Sequence, residues 1–336
     1  MRVVVTGATG NVGSAVLDRL GRCDDVTEIV GVARRLPAIT LPKVRWRSLD
    51  VGHDDLVEVL TGADAVVHLA WRFQPTRDER ETWHANVVGS MRTFEAALAA
   101  GVRALVYASS IGAYSPGPHM AELPDELVDE TWPTHALPTA AYGRQKSYLE
   151  RVLDAVDARG VIRMVRIRSA FVFQRRAAPE QRRIFAGRLV PGRLVGALPV
   201  VPLPRGFRMQ AVAASDLAAA YEAALTRPVA GAFNIAATPV LRAAELGHVL
   251  GARPIEVSPA VARRAMALAF KARVIRAEPG LLELAQSLPM MDTSKARREL
   301  EWCPHLSSID AMRELVHGLL DPEGGPTPPL AAGADT

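Results

Sequence analysis

Cysteine is nearly missing: Cys23 and Cys303 are the only two in 336 residues, and they stand far apart. That excludes a disulfide framework and any cysteine-based metal site, and it points to a reducing, cytoplasmic setting. No apolar run approaches the roughly 18 uninterrupted residues of a membrane span, and no apolar leader precedes the first strand, so neither membrane association nor export is expected. A large excess of one charge is also lacking. Forty Lys plus Arg face 36 Asp plus Glu, a net charge of +4, with the basic residues in ones and twos, which speaks against nucleic acid as a partner. Lysine itself is scarce, occurring at 43, 146, 271 and 295, so each position that uses one carries information.

What is present begins with β-branched residues and glycine. Val3, Val4 and Val5 form the continuous apolar run of a strand buried on both faces of a parallel sheet. Gly7, Gly10 and Gly13 follow at intervals of three, and Val12, Ala15, Val16, Leu17 and Leu20 then recur at helical spacing. The segment Gly7, Thr9, Gly10, Asn11, Val12, Gly13 is therefore a strand-to-helix turn. Missing Cβ atoms let a diphosphate approach its backbone, and the free N–H groups of the helix start favour negative charge. A nucleotide cofactor is the expected ligand.

The chain continues as alternating strands and helices. Strands are expected at 28–33, 44–50, 65–70, 103–110 and 161–167. Helices are expected at 54–60, with Asp54 as cap, at about 80–99, and from about Thr139 to Asp157. This is an α/β chain with a doubly wound parallel sheet over 1–168, the dinucleotide-binding domain. Residues 169–320 read as a smaller, mostly helical substrate-binding region whose strands can interleave with the first domain. The Pro-, Gly- and Ala-rich tail 321–336 reads as disordered.

In such a sheet, ligands lie beyond the carboxyl ends of the strands. There Arg34 favours the 2′-phosphate of NADP over NAD, Asp50 and Val51 follow the third strand, and Leu69 and Ala70 follow the fourth. His68, flanked by apolar residues, reads as a packed structural histidine. Ser109 and Ser110 end the fifth strand and are both expected to point into the site. Tyr142 and Lys146 stand one helical turn apart, so an ammonium can stabilise a phenolate that exchanges a proton with a substrate oxygen while Ser110 hydrogen-bonds that oxygen. Trp71, Phe73, Phe171 and Phe173 suggest an apolar substrate pocket, with Trp71, Ser110 and Phe171 as candidate contacts. The proline-rich stretches 115–138 and 190–204 read as a lid and as substrate-facing chain, and the arginines between Gln174 and Arg183 as a phosphate-facing cluster or a solvated surface.

These motifs, in this order, resemble the extended short-chain dehydrogenases/reductases of the NAD-dependent epimerase/dehydratase family. The resemblance rests on Thr6 to Gly13, Asp50, the run His68 to Ala70, Asn86 with Gly89, Ser110, the Tyr142 and Lys146 pair, and the closing segment Asp292 to Pro304. It implies Asp50 as an adenine contact, Asn86 as the structural asparagine within the cofactor-binding set, Ser110, Tyr142 and Lys146 as the catalytic set, and a homodimer paired through helices near 80–99 and 139–158. The chain departs from the family at Arg168 to Gln174 and at Gln210 to Asp216, where sugar-nucleotide enzymes carry other runs. The expectation is therefore an NAD(P)-dependent oxidoreductase acting on an alcohol or carbonyl of a small molecule. A sugar-nucleotide epimerase or dehydratase and a non-catalytic NAD(P)-sensing protein are the alternatives.

Overall fold

The computed structural model describes residues 1–73, 77–117, 126–185, 192 and 199–331. Seven strands form its central sheet: β1 (Arg2–Thr6), β2 (Glu28–Ala33), β3 (Val44–Ser48), β4 (Ala65–His68), β5 (Ala104–Ser110), β6 (Arg163–Ser169) and β7 (Gly231–Ile235). All pair in parallel, in the order β7-β6-β5-β4-β1-β2-β3. The chain runs outward from β1 to β3 and returns on the other side of β1 as β4. The crevice where the order reverses thus opens above β1 and β4.

Alternation along the strands feeds two cores. Val3, Val5, Val67 and Val106 pack with α1 (Asn11–Leu20) beneath one face, while Val4, Val66, Leu105 and Tyr107 pack beneath the other. Burial on both faces is what the continuous apolar runs encode. Beyond the first domain, β7 comes from the second region yet pairs with β6, with Phe233 beside Ile167.

Several boundaries differ from expectation. The helix expected over 54–60 is the single turn α2 (Val57–Leu60), because Asp54 accepts from the Asp50 N–H and Asp55 from the Val57 N–H, holding the preceding residues in a turn. The helix expected over 80–99 is divided into α3 (Glu79–Trp83), a π-helical turn (His84–Val88) and α4 (Gly89–Ala99). The sixth strand starts at Arg163, leaving Val161 exposed. The helix before it, α5 (Ala141–Asp157), begins two residues later than expected.

The tail expected to be disordered is placed over 321–331. Thr327 donates to the carbonyl of Thr9 at 2.7 Å, Arg183 donates to the carbonyls of Pro329 and Ala331, and Leu330 is fully buried. Its composition hid these contacts because they are made largely by backbone carbonyls. The remaining tail residues 332–336, the lid residues 118–125, and 190, 191 and 193–198 of the expected substrate-facing stretch lie outside the described residues. Among the described residues, no helix is long and apolar enough to cross a membrane, and no cluster of three potential metal ligands occurs.

Candidate active site

The glycine turn is built for close approach. Gly7 has φ +67°, and a Cβ there would stand 2.7 Å from the Ala70 N, so β1 and the end of β4 touch backbone to backbone. A Cβ on Gly13 would run into the carbonyl of Gly7. No side chain caps the N-terminus of α1, which leaves its first N–H groups for an anion. A dinucleotide phosphate therefore fits this turn. Asn11 contributes backbone here, since its side chain donates to the Val172 carbonyl and accepts from Gln174. At the other strand ends, the Arg34 guanidinium lies 3.9 Å from Asp50, whose carboxylate also accepts from the Gly52 N–H, and Val51 is buried against Gly89.

His68 takes the structural role. Its Nδ1 meets the Thr6 hydroxyl at 2.7 Å and its Nε2 the Ser90 hydroxyl at 2.9 Å, and burial, with the Lys146 charge, pushes its pKa down to about 3. Ser90 gives its proton to the Asn86 carbonyl, so the imidazole is neutral with the proton on Nε2. Asn86 makes the contacts of a structural asparagine. Its side chain accepts from the Arg72 N–H and donates to the Arg72 carbonyl and to Gln145, so it clamps the segment after β4 to α5. The π-helical turn that contains it aims it there.

Ser110 and Tyr142 come together around Gly112; burial pushes the phenol up to about 12, opposed by Ser110. Ser110 is fixed by accepting from the Gly112 N–H at 3.0 Å, and Gly112 leaves room for the Tyr142 ring. Lys146 is buried one turn further along α5. It donates to the Ala108 carbonyl at 2.6 Å, and its Nζ lies 3.7 Å above the centre of the Trp71 ring. Burial lowers its pKa to about 7, opposed by the charge of Glu150. The expected lowering of the phenol by this ammonium is not realised in this arrangement, because the ammonium is held by Ala108 and Trp71.

Ser109 is a correction. Successive strand residues face opposite sides of a sheet, and Ser109 points away from Ser110 to donate to Glu150 at 2.5 Å. Glu150, fully buried, also receives Arg168 at 2.9 Å and Arg166 at 3.1 Å, while Arg168 donates to the Tyr114 hydroxyl, which donates to Asn234 on β7. This network under β5 was missed, although an acid four residues after Lys146 on the same face of α5 was its visible signal. The arginine cluster is largely spent on structure: Arg175 pairs with Asp321, Arg176 with Asp18, and Arg183 holds the tail. Phe171 packs in the same apolar cluster as Tyr142, and Phe73 stacks on the Tyr142 ring at 5.2 Å.

A parallel sheet with a glycine-lined anion turn at its switch point and a serine, tyrosine and lysine beyond β5 defines a dinucleotide-dependent class of protein. The chain belongs to the NAD dependent epimerase/dehydratase family, whose model matches residues 3–236. An L-arabinose 1-dehydrogenase (NAD(P)(+)) of Haloferax volcanii is 38% identical over 111 residues, 32% of this chain and 41% of that one. A uronate dehydrogenase of Pseudomonas syringae pv. tomato is 28% identical over 189 residues, 55% and 63% of the two chains. A UDP-glucose 4-epimerase of Corynebacterium glutamicum is 34% identical over 171 residues, 47% of each chain. The chain thus spans less than two thirds of the length of these relatives. In fold it is similar to the UDP-glucose 4-epimerase of Thermotoga maritima, with a TM-score of 0.71 at 19% identity over 95% of this chain and 98% of that one.

Proposed function

We propose that the protein is an NAD(P)-dependent oxidoreductase that transfers hydride at a secondary alcohol or carbonyl of a small molecule. The observation that carries this reading is the convergence of Ser110 and Tyr142 at Gly112, with Lys146 one turn along α5, beside the glycine turn. The nicotinamide, when bound, supplies or accepts the hydride. Ser110 and Tyr142 together hold the substrate oxygen, and in reduction Tyr142 gives its phenolic proton to that oxygen as the carbon–oxygen double bond becomes single. Lys146, released from Ala108, stabilises the phenolate left behind. Steady consumption of NADPH or NADH with a carbonyl substrate tests the reading. An epimerase regenerates its cofactor in each turnover, so conversion without net consumption would replace this reading with the one suggested by the Corynebacterium glutamicum relative. Cofactor binding with neither activity would favour the sensing protein.

NADP is favoured by Arg34, which is exposed at the end of β2 with its carbonyl anchored by the Ser48 hydroxyl. In Arg34→Asp the preference for NADPH over NADH, measured as a ratio of kcat/KM, is expected to fall by roughly 30-fold or more; an unchanged ratio removes Arg34 from the 2′-phosphate site. A homodimer through α3 to α5 is supported by Trp83 and Tyr148, two exposed aromatic residues whose rings lie 5.1 Å apart. Trp83→Glu is expected to yield a monomer by light scattering, and a wild-type monomer would dismiss the proposal. The reading keeps the enzyme in the cytoplasm, with a small molecule as its other partner.

A further inference from the structure

The surroundings of Tyr142 have a chemical character of their own. Phe73 lies nearly parallel to its ring, 11° apart, Trp71 stands edge-on at 5.5 Å, and Phe185 meets Phe73 at 5.8 Å. The cavity beside Tyr142 measures about 20 Å³ and is lined by these first two aromatics with Ala141, Gln145, Glu278 and Leu281. That holds about one water. A ring-sized substrate body entering beside Tyr142 at this cavity needs Phe73 displaced from the tyrosine ring. An apolar ring restores the stacking that the displacement costs, and a phosphorylated sugar does not.

The charges point the same way. Three arginines around this cavity are engaged. Arg72 is paired with Glu81 at 2.5 Å, Arg77 lies 3.9 Å over the Phe270 ring and donates to its carbonyl, and Arg144 is paired with Glu79. Glu278 is the acid on the cavity wall. Its carboxylate accepts from the N–H of Ala141, the first residue of α5, which fixes it one residue from Tyr142. Its carboxyl is pushed above the usual range by burial, opposed by that hydrogen bond and by the charge of Arg144. An incoming carboxylate or phosphate meets the like charge of Glu278, while these three arginines already face acids or the Phe270 ring and the Lys146 ammonium rests on the Ala108 carbonyl and the Trp71 ring.

We propose that the substrate is an uncharged carbonyl or secondary alcohol carried on an apolar, ring-sized body, and that Glu278 is the specificity-determining residue that turns anionic analogues away. This rests on Tyr142 as the proton donor. The two readings separate when binding is measured without turnover, by calorimetry on the full chain with saturating NADP⁺, which cannot reduce a ketone. The probes are 4-acetylbenzamide, 4-acetylbenzoate and UDP-glucose. The neutral ketone is expected to bind at least roughly 30-fold more tightly than the carboxylate. In Glu278→Gln, which keeps an acceptor for the Ala141 N–H, that ratio is expected to drop below about fivefold. Equal or tighter binding of the carboxylate, tighter binding of UDP-glucose, an unchanged ratio in the variant, or no binding of the neutral ketone overturns the inference. The wild-type ratio needs no variant, so a poorly folding Glu278→Gln leaves the test standing. If the neutral ketone binds selectively but NADPH is never consumed, the hydride-transfer reading fails and the substrate class survives.

Discussion

Tyr142→Phe is expected to lower carbonyl reduction by about a thousandfold while leaving NADPH affinity within about twofold of wild type. The size follows from losing a positioned general acid, a contribution of 10²–10⁴-fold, or roughly 4 kcal/mol for the middle of that range. The substitution is clean because the ring is held by its faces and edges. Phe73 stacks on it at 5.2 Å and Trp71 meets it at 5.5 Å, and a phenyl group preserves both contacts. The hydroxyl alone is lost. The glycine turn and Arg34 lie elsewhere in the crevice, so fluorescence titration of NADPH should not register the change. A variant that keeps full activity would end the role assigned to Tyr142, whatever the substrate.

Removing the carboxylate under β5 is expected to act on stability instead. Glu150→Ala leaves Arg166 and Arg168 buried without the anion both of them reach, and breaking a buried pair in this way costs about 3–5 kcal/mol. For a chain of this size that is roughly a 4–7 °C drop in Tm. The same carboxylate sets an acid limit. Burial alone would raise the Glu150 pKa, but the hydrogen bonds and charge of Arg168, with Ser109 and Arg166, pull it down to about 2. A carboxyl lowered on folding stabilises the protein above its unfolded value of about 4.3. That contribution is lost as pH falls from there towards 2. Thermal melts between pH 6 and 3 should show wild type losing its advantage over Glu150→Ala. A constant difference in Tm across that interval would show that the network does not bind its charges as described.

Local and long-range features differed in how far the sequence revealed them. The glycine turn, Ser110 and the Tyr142 and Lys146 pair were legible because each rests on local geometry: a turn that excludes Cβ atoms, a strand end, and one helical turn. Ser109 was misread by ignoring a rule equally local, the alternation along β5. The departure at Arg168 was visible as a break in the family pattern. Its physical meaning required Glu150, 18 residues away in the chain. Phe73 and Glu278 left no readable spacing, because they reach Tyr142 from other parts of the fold. Lys146 shows the limit of reading a pair from its interval. The interval places both residues on one helix face, but the Ala108 carbonyl and the Trp71 ring decide where the ammonium rests.

The contact from Thr327 to Thr9 separates the written motif from the finished site. During synthesis the glycine turn is made at once, but the hydroxyl that fastens it arrives 318 residues later. A shortened version cut ahead of residue 321 would retain every glycine by which the turn is recognised while lacking Thr327, Leu330 and the carbonyls that engage Arg183. Motif scanning would score it as intact. The molecule, by contrast, completes its glycine turn with chain from far along the sequence.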